Sequence, residues 1–167
     1  EVFIKGDHSL NKRSMKELIE LMNKFGSFFL PKKKFKFPLK LKSSPMQIGI
    51  RYKAGVSFKL KSAVILAALN SYGDTHIFEQ KKSRDHTENL LKENKQSIKI
   101  KNGKKKIITV HGKKYLKPVN VSIPGDISSS AFFAALTILN QNSKIKIKNV
   151  GLNSKNRILQ IIKKKKR

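Results

Sequence analysis

Lys82-Ser83-Arg84-Asp85-His86-Thr87-Glu88-Asn89-Leu90-Leu91 is a polar, charged run that stops at an apolar pair, the pattern of a helix beginning. Asp85 with Glu88 three residues on fits a capping box, in which each side chain satisfies a backbone N–H that has no partner in the first turn. Ser83 and Arg84 would then stand at the positive end of that helix. Unpaired N–H groups and aligned peptide dipoles favour a phosphate or carboxylate there. Capped helix starts are common, so the run gains weight only from its recurrence.

It does recur. Arg13-Ser14-Met15-Lys16-Glu17 lies 71 residues earlier and again places a basic residue before a capping box. At the same interval, Ser57-Phe58-Lys59-Leu60-Lys61-Ser62-Ala63-Val64-Ile65-Leu66 precedes Ser128-Ser129-Ser130-Ala131-Phe132-Phe133-Ala134-Ala135-Leu136. In both, a hydroxyl-bearing residue opens a nearly all-apolar helix. Ser154-Lys155-Asn156-Arg157, ahead of Ile158 and Leu159, extends the series from Ser83. Self-similarity at a fixed period means one supersecondary unit used more than once. The expected units are residues 1–80 and 81–152, with 153–167 entering a further one.

A chain of 167 residues can bury a core as one domain or as one lobe of a larger protein. It has no cysteine, which rules out disulfides and thiolate metal sites and fits a reducing, cytoplasmic setting. No run approaches the roughly 18 apolar residues of a membrane span. Glu1-Val2-Phe3-Ile4-Lys5-Gly6-Asp7 has no initiator methionine or basic leader and reads as the interior of a longer chain. The formal charge of +28 is almost all lysine, the arginines being Arg13, Arg51, Arg84, Arg157 and Arg167. Nucleic-acid readers lean on arginine forks and stacked aromatics. Scattered lysines without tryptophan therefore point to a solvated surface, with nucleic acid bound only non-specifically through charge. The tail Lys163-Lys164-Lys165-Lys166-Arg167 reads as a frayed helix end.

Periodicity predicts strands at Phe3-Ile4, Phe28 to Leu30, Leu39 to Leu41, Ile48 to Tyr52 and Thr75 to Phe78. A helix from about Ser14 buries Met15, Leu18, Ile19 and Met22. Another, about Phe58 to Asn70, is apolar around most of its circumference and needs enclosure on several sides. Ile98 to Lys101 and Lys105 to Val110 read as a hairpin about Asn102-Gly103, a type I′ turn signal. Val119 to Ile123 alternates as a half-buried strand, followed by a helix from Ser129 to Asn140, a strand Ile145 to Ile147 and a last helix from about Ser154. The result is an α/β lobe with helices packed against mixed sheets. There is no Gly-rich nucleotide loop, and His8, His76, His86 and His111 are not spaced as zinc ligands. The few acids read as helix-surface groups, and Asp7 and Asp126 as turn braces; no general acid and base pair is apparent.

Gly6-Asp7-His8-Ser9-Leu10-Asn11-Lys12-Arg13-Ser14-Met15, Ser57 to Ala63, Ser83-Arg84-Asp85-His86-Thr87-Glu88, Pro124-Gly125-Asp126-Ile127-Ser128-Ser129-Ser130-Ala131-Phe132-Phe133 and Asn149-Val150-Gly151-Leu152-Asn153 occur in a telling order and spacing. In these five motifs the chain resembles the 5-enolpyruvylshikimate-3-phosphate (EPSP) synthase family over essentially its whole length. The resemblance implies transfer of the enolpyruvyl group of phosphoenolpyruvate to the 5-hydroxyl of shikimate 3-phosphate, with release of phosphate. It also implies two lobes, each of three βαβαββ units about a pseudo-threefold axis, with helices packed on mixed four-stranded sheets. The implied partners are those two small anions, with no metal, cofactor or membrane, and the full-length protein is expected to be a monomer.

Residue by residue, Arg13 resembles the arginine that grips phosphoenolpyruvate, and Ser57 the serine that hydrogen-bonds the phosphate of shikimate 3-phosphate. Ser83 and Arg84 are similar to the segment beside the same substrate. Lys59 stands where the family has a glutamine touching both substrates, so an amide that donates and accepts becomes a donor-only cation. Phe58 replaces a small residue and crowds the pocket, Ser14 replaces a proline, and Asn156-Arg157 is shifted by one from the family's arginine. The family's lysine-serine and glycine-asparagine-threonine segments are expected before Glu1, and its second lobe, with the proton-transferring aspartate and glutamate, after Arg167. The chain is therefore expected to be one lobe, incomplete at its amino edge, without catalytic residues and inactive alone. A UDP-amino-sugar enolpyruvyl transferase and a lysine-rich nucleic-acid-binding module are the alternative readings.

Overall fold

The computed structural model describes residues 1–55, 57–81, 83–103 and 105–151, and not the side chain of Phe58. Two compact units divide the chain, Glu1–Val119 and Asn120–Arg167. In the first, β1 (Val2–Ile4), α1 (His8–Lys12), α2 (Lys16–Lys24), β2 (Phe28–Leu30) and β3 (Leu39–Lys42) lead to β4 (Arg51–Ala54) and α3 (Phe58–Asn70). β5 (Asp74–Glu79), α4 (His86–Leu90), β6 (Ile98–Lys101) and β7 (Lys106–His111) follow.

β1, β3 and β2 form an antiparallel sheet in that order. β4, β5, β7 and β6 form a mixed sheet in which β4 and β5 are parallel, Ala54 opposite Glu79, and the other pairs antiparallel. A parallel pair needs a crossover, and α3 supplies it. Arg51 to His111 is thus a complete βαβαββ run. The order β1-β3-β2 repeats as β5-β7-β6, with α2 and α4 in corresponding places.

The core of this unit follows from two periods. In β5 the alternation buries Thr75, Ile77 and Glu79, and in β7 it buries Ile108 and Val110. In α3, Lys61, Val64, Ile65 and Ala68 recur at helical spacing on the buried face. Leu21 of α2 and Phe25, the residue that caps its carboxyl end, join the same cluster. Gly112 allows the sheet and α3 to meet, because a Cβ there would collide with the Ser71 carbonyl.

The second unit holds α5 (Ile127–Leu139), capped by Asp126, which accepts from the N–H groups of Ser128 and Ser129. Gly125 and Val150 form an isolated parallel bridge.

Several expectations need correction. Val119 to Ile123 and Ile145 to Ile147 are not strands, and Val121, Ile123, Ile145 and Ile147 are exposed. Alternation makes a strand only where a neighbour accepts its backbone hydrogen bonds, and these stretches have no ladder among the described residues. The hairpin's last pair is Lys101 with Ile107, whereas a two-residue type I′ turn at Asn102-Gly103 would pair Lys101 with Lys104. Ile48 makes only an isolated bridge to Tyr72, and the strand starts at Arg51. Asp7 and Asp126 cap helices, Asp7 accepting from the Leu10 N–H at 2.7 Å. α1 itself was not foreseen, being a single turn after Gly6. The enclosure of α3 on several sides is met by α2 and the mixed sheet, with Leu66 left 56% exposed. The helix expected from Ser154, the Asn156-Arg157 shift, residues 153–167 and the lysine tail lie outside the described residues, as does the crowding assigned to Phe58.

Candidate functional site

Because β4 and β5 are parallel neighbours, their carboxyl ends lie side by side, roughly 4.8 Å apart. Ser57 follows β4 by three residues and Ser83 follows β5 by four, so the topology brings both to one end of the sheet. In open α/β sheets, ligands favour that edge. Ser57 caps α3, its hydroxyl accepting from the Leu60 N–H at 3.5 Å, and Lys59 is exposed in the first turn. At thirteen residues α3 is long enough for its amino end to carry a useful dipole.

Arg13 lies between α1 and α2 with its side chain exposed, and its N–H donates to the Leu10 carbonyl. α2 packs on α3. One turn beyond Arg13, Glu17 reaches the field of Tyr52 on β4: burial first, then this charge, raises the Tyr52 phenol. The start of α2 therefore lies near the β4 strand that leads to Ser57.

Neither capping box forms as expected. The N-cap of α2 is Met15, one residue past Ser14, whose hydroxyl makes a 3.4 Å contact with the Lys16 N–H. Asp85 makes no side-chain cap bond, and Glu88 turns inward. With five residues, α4 has little dipole to offer an anion, so any attraction near Arg84 comes from its guanidinium.

Glu88 turns inward to join a buried charge cluster. The Lys61 ammonium, 0% exposed, donates to Glu88 Oε1 at 2.7 Å and Glu79 Oε1 at 3.1 Å. Lys106 reaches Glu88 Oε1 at 3.1 Å and Glu79 Oε2 at 3.5 Å. Glu79 Oε1 also accepts from the Ser83 N–H at 2.8 Å and the Ser83 hydroxyl at 2.6 Å. Burial alone would raise the Glu79 carboxyl, but Ser83 and Lys61 outweigh it and bring the pKa down to about 2. The expectation that acids are surface groups and lysines solvated fails at these positions. A signal was available: Lys61 interrupts the apolar stripe of α3, and Glu79 shares the parity of Ile77 in β5.

His111 pairs with Asp74 at 2.7 Å, and His76 contacts Thr109 at 3.2 Å. Among the described residues, no group of three His, Cys, Asp or Glu side chains could hold a metal ion. Nor is any described helix long and apolar enough to cross a membrane.

A βαβαββ run on a mixed sheet, with Ser57 and Ser83 at one edge, has counterparts among solved structures. EPSP synthase from Acinetobacter baumannii is similar with a TM-score of 0.76 and 29% identity, over 97% of this chain and 37% of that one. The class so defined is the mixed α/β architecture of EPSP synthase structures. The family model described as EPSP synthase (3-phosphoshikimate 1-carboxyvinyltransferase) matches residues 1–167, and the chain belongs to that family. Among relatives named 3-phosphoshikimate 1-carboxyvinyltransferase, that of Petrotoga mobilis is 37% identical over 164 residues, covering 96% of this chain and 37% of the relative. That of Bacillus subtilis is 39% identical over 152 residues, covering 90% and 35%. The chain thus spans a little over a third of the relatives' length.

Proposed function

We propose that this chain is part of an enzyme that transfers the enolpyruvyl group of phosphoenolpyruvate to shikimate 3-phosphate, releasing phosphate. The observation that carries this reading is the family match through residues 1–167, joined to a topology in which β4 and β5 deliver Ser57 and Ser83 to one edge. Shikimate 3-phosphate carries a phosphate and a carboxylate on a polar ring, and short hydroxyls with fixed cations suit it. In this reading Ser57 donates to its phosphate, with Ser83 and Arg84 beside it. Arg13 grips phosphoenolpyruvate. Lys59 pairs with either anion but accepts from no substrate hydroxyl.

The reading further holds that the full-length protein is a cytoplasmic monomer, and that its lysines meet nucleic acid only non-specifically. The proposed repeat division is 1–80 and 81–152, with 153–167 entering a further unit within a single partial lobe, 1–167. The recurring strand order, β1-β3-β2 and β5-β7-β6, supports a repeat.

Calorimetric titration of shikimate 3-phosphate into the 167-residue chain tests the reading. Saturable binding at one site is expected, weakened about tenfold by Ser57→Ala or Arg84→Ala. Phosphate release from the two substrates is expected to stay at background, because the resemblance assigns the proton-transferring acids to the opposite lobe. Absence of binding, or binding indifferent to both substitutions, overturns the assignment.

A further inference from the structure

We propose that Glu79, clamped by Lys61, is a positioning residue for shikimate 3-phosphate: it holds the Ser83-Arg84 turn against the start of α3, so that the two halves of the site keep one geometry. This rests on the functional reading above and deepens it.

Glu79 ends β5 opposite Ala54, and one carboxylate oxygen takes three donors: the Ser83 N–H, the Ser83 hydroxyl and the Lys61 ammonium. Lys61 lies one helical turn beyond the Ser57 cap and two residues beyond Lys59. A single ammonium thus connects the α3 end of the site to the turn after β5. A second tie runs parallel to it, since the Ser62 and Thr87 hydroxyls lie 2.7 Å apart across α3 and α4.

Stability alone does not account for such a cluster. Burying two carboxylates and two ammoniums costs desolvation that apolar side chains of similar volume avoid, often with equal or greater stability. What charges add is direction, because each donor must point at a particular oxygen. An ionised carboxylate only accepts, so the Ser83 hydroxyl must donate to it. That proton is committed inward. In this geometry Ser83 serves as the hinge of the turn, and Arg84 is the residue of the pair whose charge can meet the substrate.

Three variants of the 167-residue chain test this, each read by calorimetric affinity for shikimate 3-phosphate and by hydrogen exchange at the Ser83 amide. Glu79→Ala is expected to weaken binding about tenfold and to release the Ser83 amide to exchange. Glu79→Gln keeps an oxygen that can accept from Ser83 and should recover part of both. Lys106→Met removes a charge from the cluster without touching Ser83; it should lower the unfolding midpoint yet leave affinity within about threefold. If Lys106→Met weakens binding as much as Glu79→Ala, or Glu79→Gln recovers neither readout, the effect is general instability and the proposal fails. Unchanged affinity in Glu79→Ala also overturns it. A wild-type chain that does not bind shikimate 3-phosphate overturns the functional reading and with it this role; the exchange of the Ser83 amide then shows whether Glu79 still fixes the turn.

Discussion

α3 and α5 are both thirteen-residue, nearly all-apolar helices with a polar N-cap, yet their surroundings are opposite. α3 buries Val64, Ile65 and Ala68 between α2 and the mixed sheet, and tucks a lysine beneath them. α5 leaves Phe132 at 80% and Leu139 at 82% exposure. At the 71-residue interval, the positions matching Lys61 and Ile65 are Phe132 and Leu136. The pair teaches that apolar composition does not bury a helix; neighbours do, and α3 has its neighbours within Glu1–Val119.

Matched substitutions give the largest expected contrast. Lys61→Met leaves two buried carboxylates with Lys106 as their remaining charged partner and should cost about 3–5 kcal/mol by urea unfolding. Phe132→Met should stay within about 0.5 kcal/mol. Ile65→Ala opens a cavity in a fully buried site and should cost about 2–5 kcal/mol. Its counterpart Leu136→Ala, on an exposed face, should again change stability by about 0.5 kcal/mol or less. Equal costs at the two members of either pair would break the comparison.

Acid should separate the regions next. Glu79 titrates near 2 in the folded chain against an ordinary 4.5, so its contribution is complete above 4.5 and fades as pH falls toward 2. Lys61, Lys106, Glu88 and Ser83 face it. The loss should be on the order of 3 kcal/mol, followed as unfolding free energy against pH, and Glu79→Gln should flatten that part of the curve. A smaller loss than that of the charge cluster is expected at the caps. Ser57→Ala should cost about 1 kcal/mol, while Asp126→Ala should lower helix content by circular dichroism, since Asp126 accepts from two N–H groups of α5.

Much of this was legible in the sequence where the physics is local. The ends of α3, the strands β2, β3 and β5, and the hairpin strands follow from periodicity and punctuation, and each of those strands finds a partner. Val119 to Ile123 and Ile145 to Ile147 failed because a strand exists only as half of a pair. The capping boxes failed for a different reason: Glu88 has the spacing of a cap, but two ammoniums brought in from α3 and β7 outbid a backbone N–H. The 71-residue interval singled out Ser57, Ser83, Arg84 and Arg13 as candidates; periodicity could flag Glu79 and Lys61 as buried, but that the two meet required knowing that β5 packs on α3.

The central claim, that the ends of β4 and β5 form one site for a phosphorylated ring, is tested most directly by amide chemical shifts of the 167-residue chain on addition of shikimate 3-phosphate. The account predicts saturable shifts at Ser57, Lys59, Ser83 and Arg84 together, with α5 unmoved. Shifts confined to one of the two strand ends, or spread evenly over the lysine surface, would contradict it.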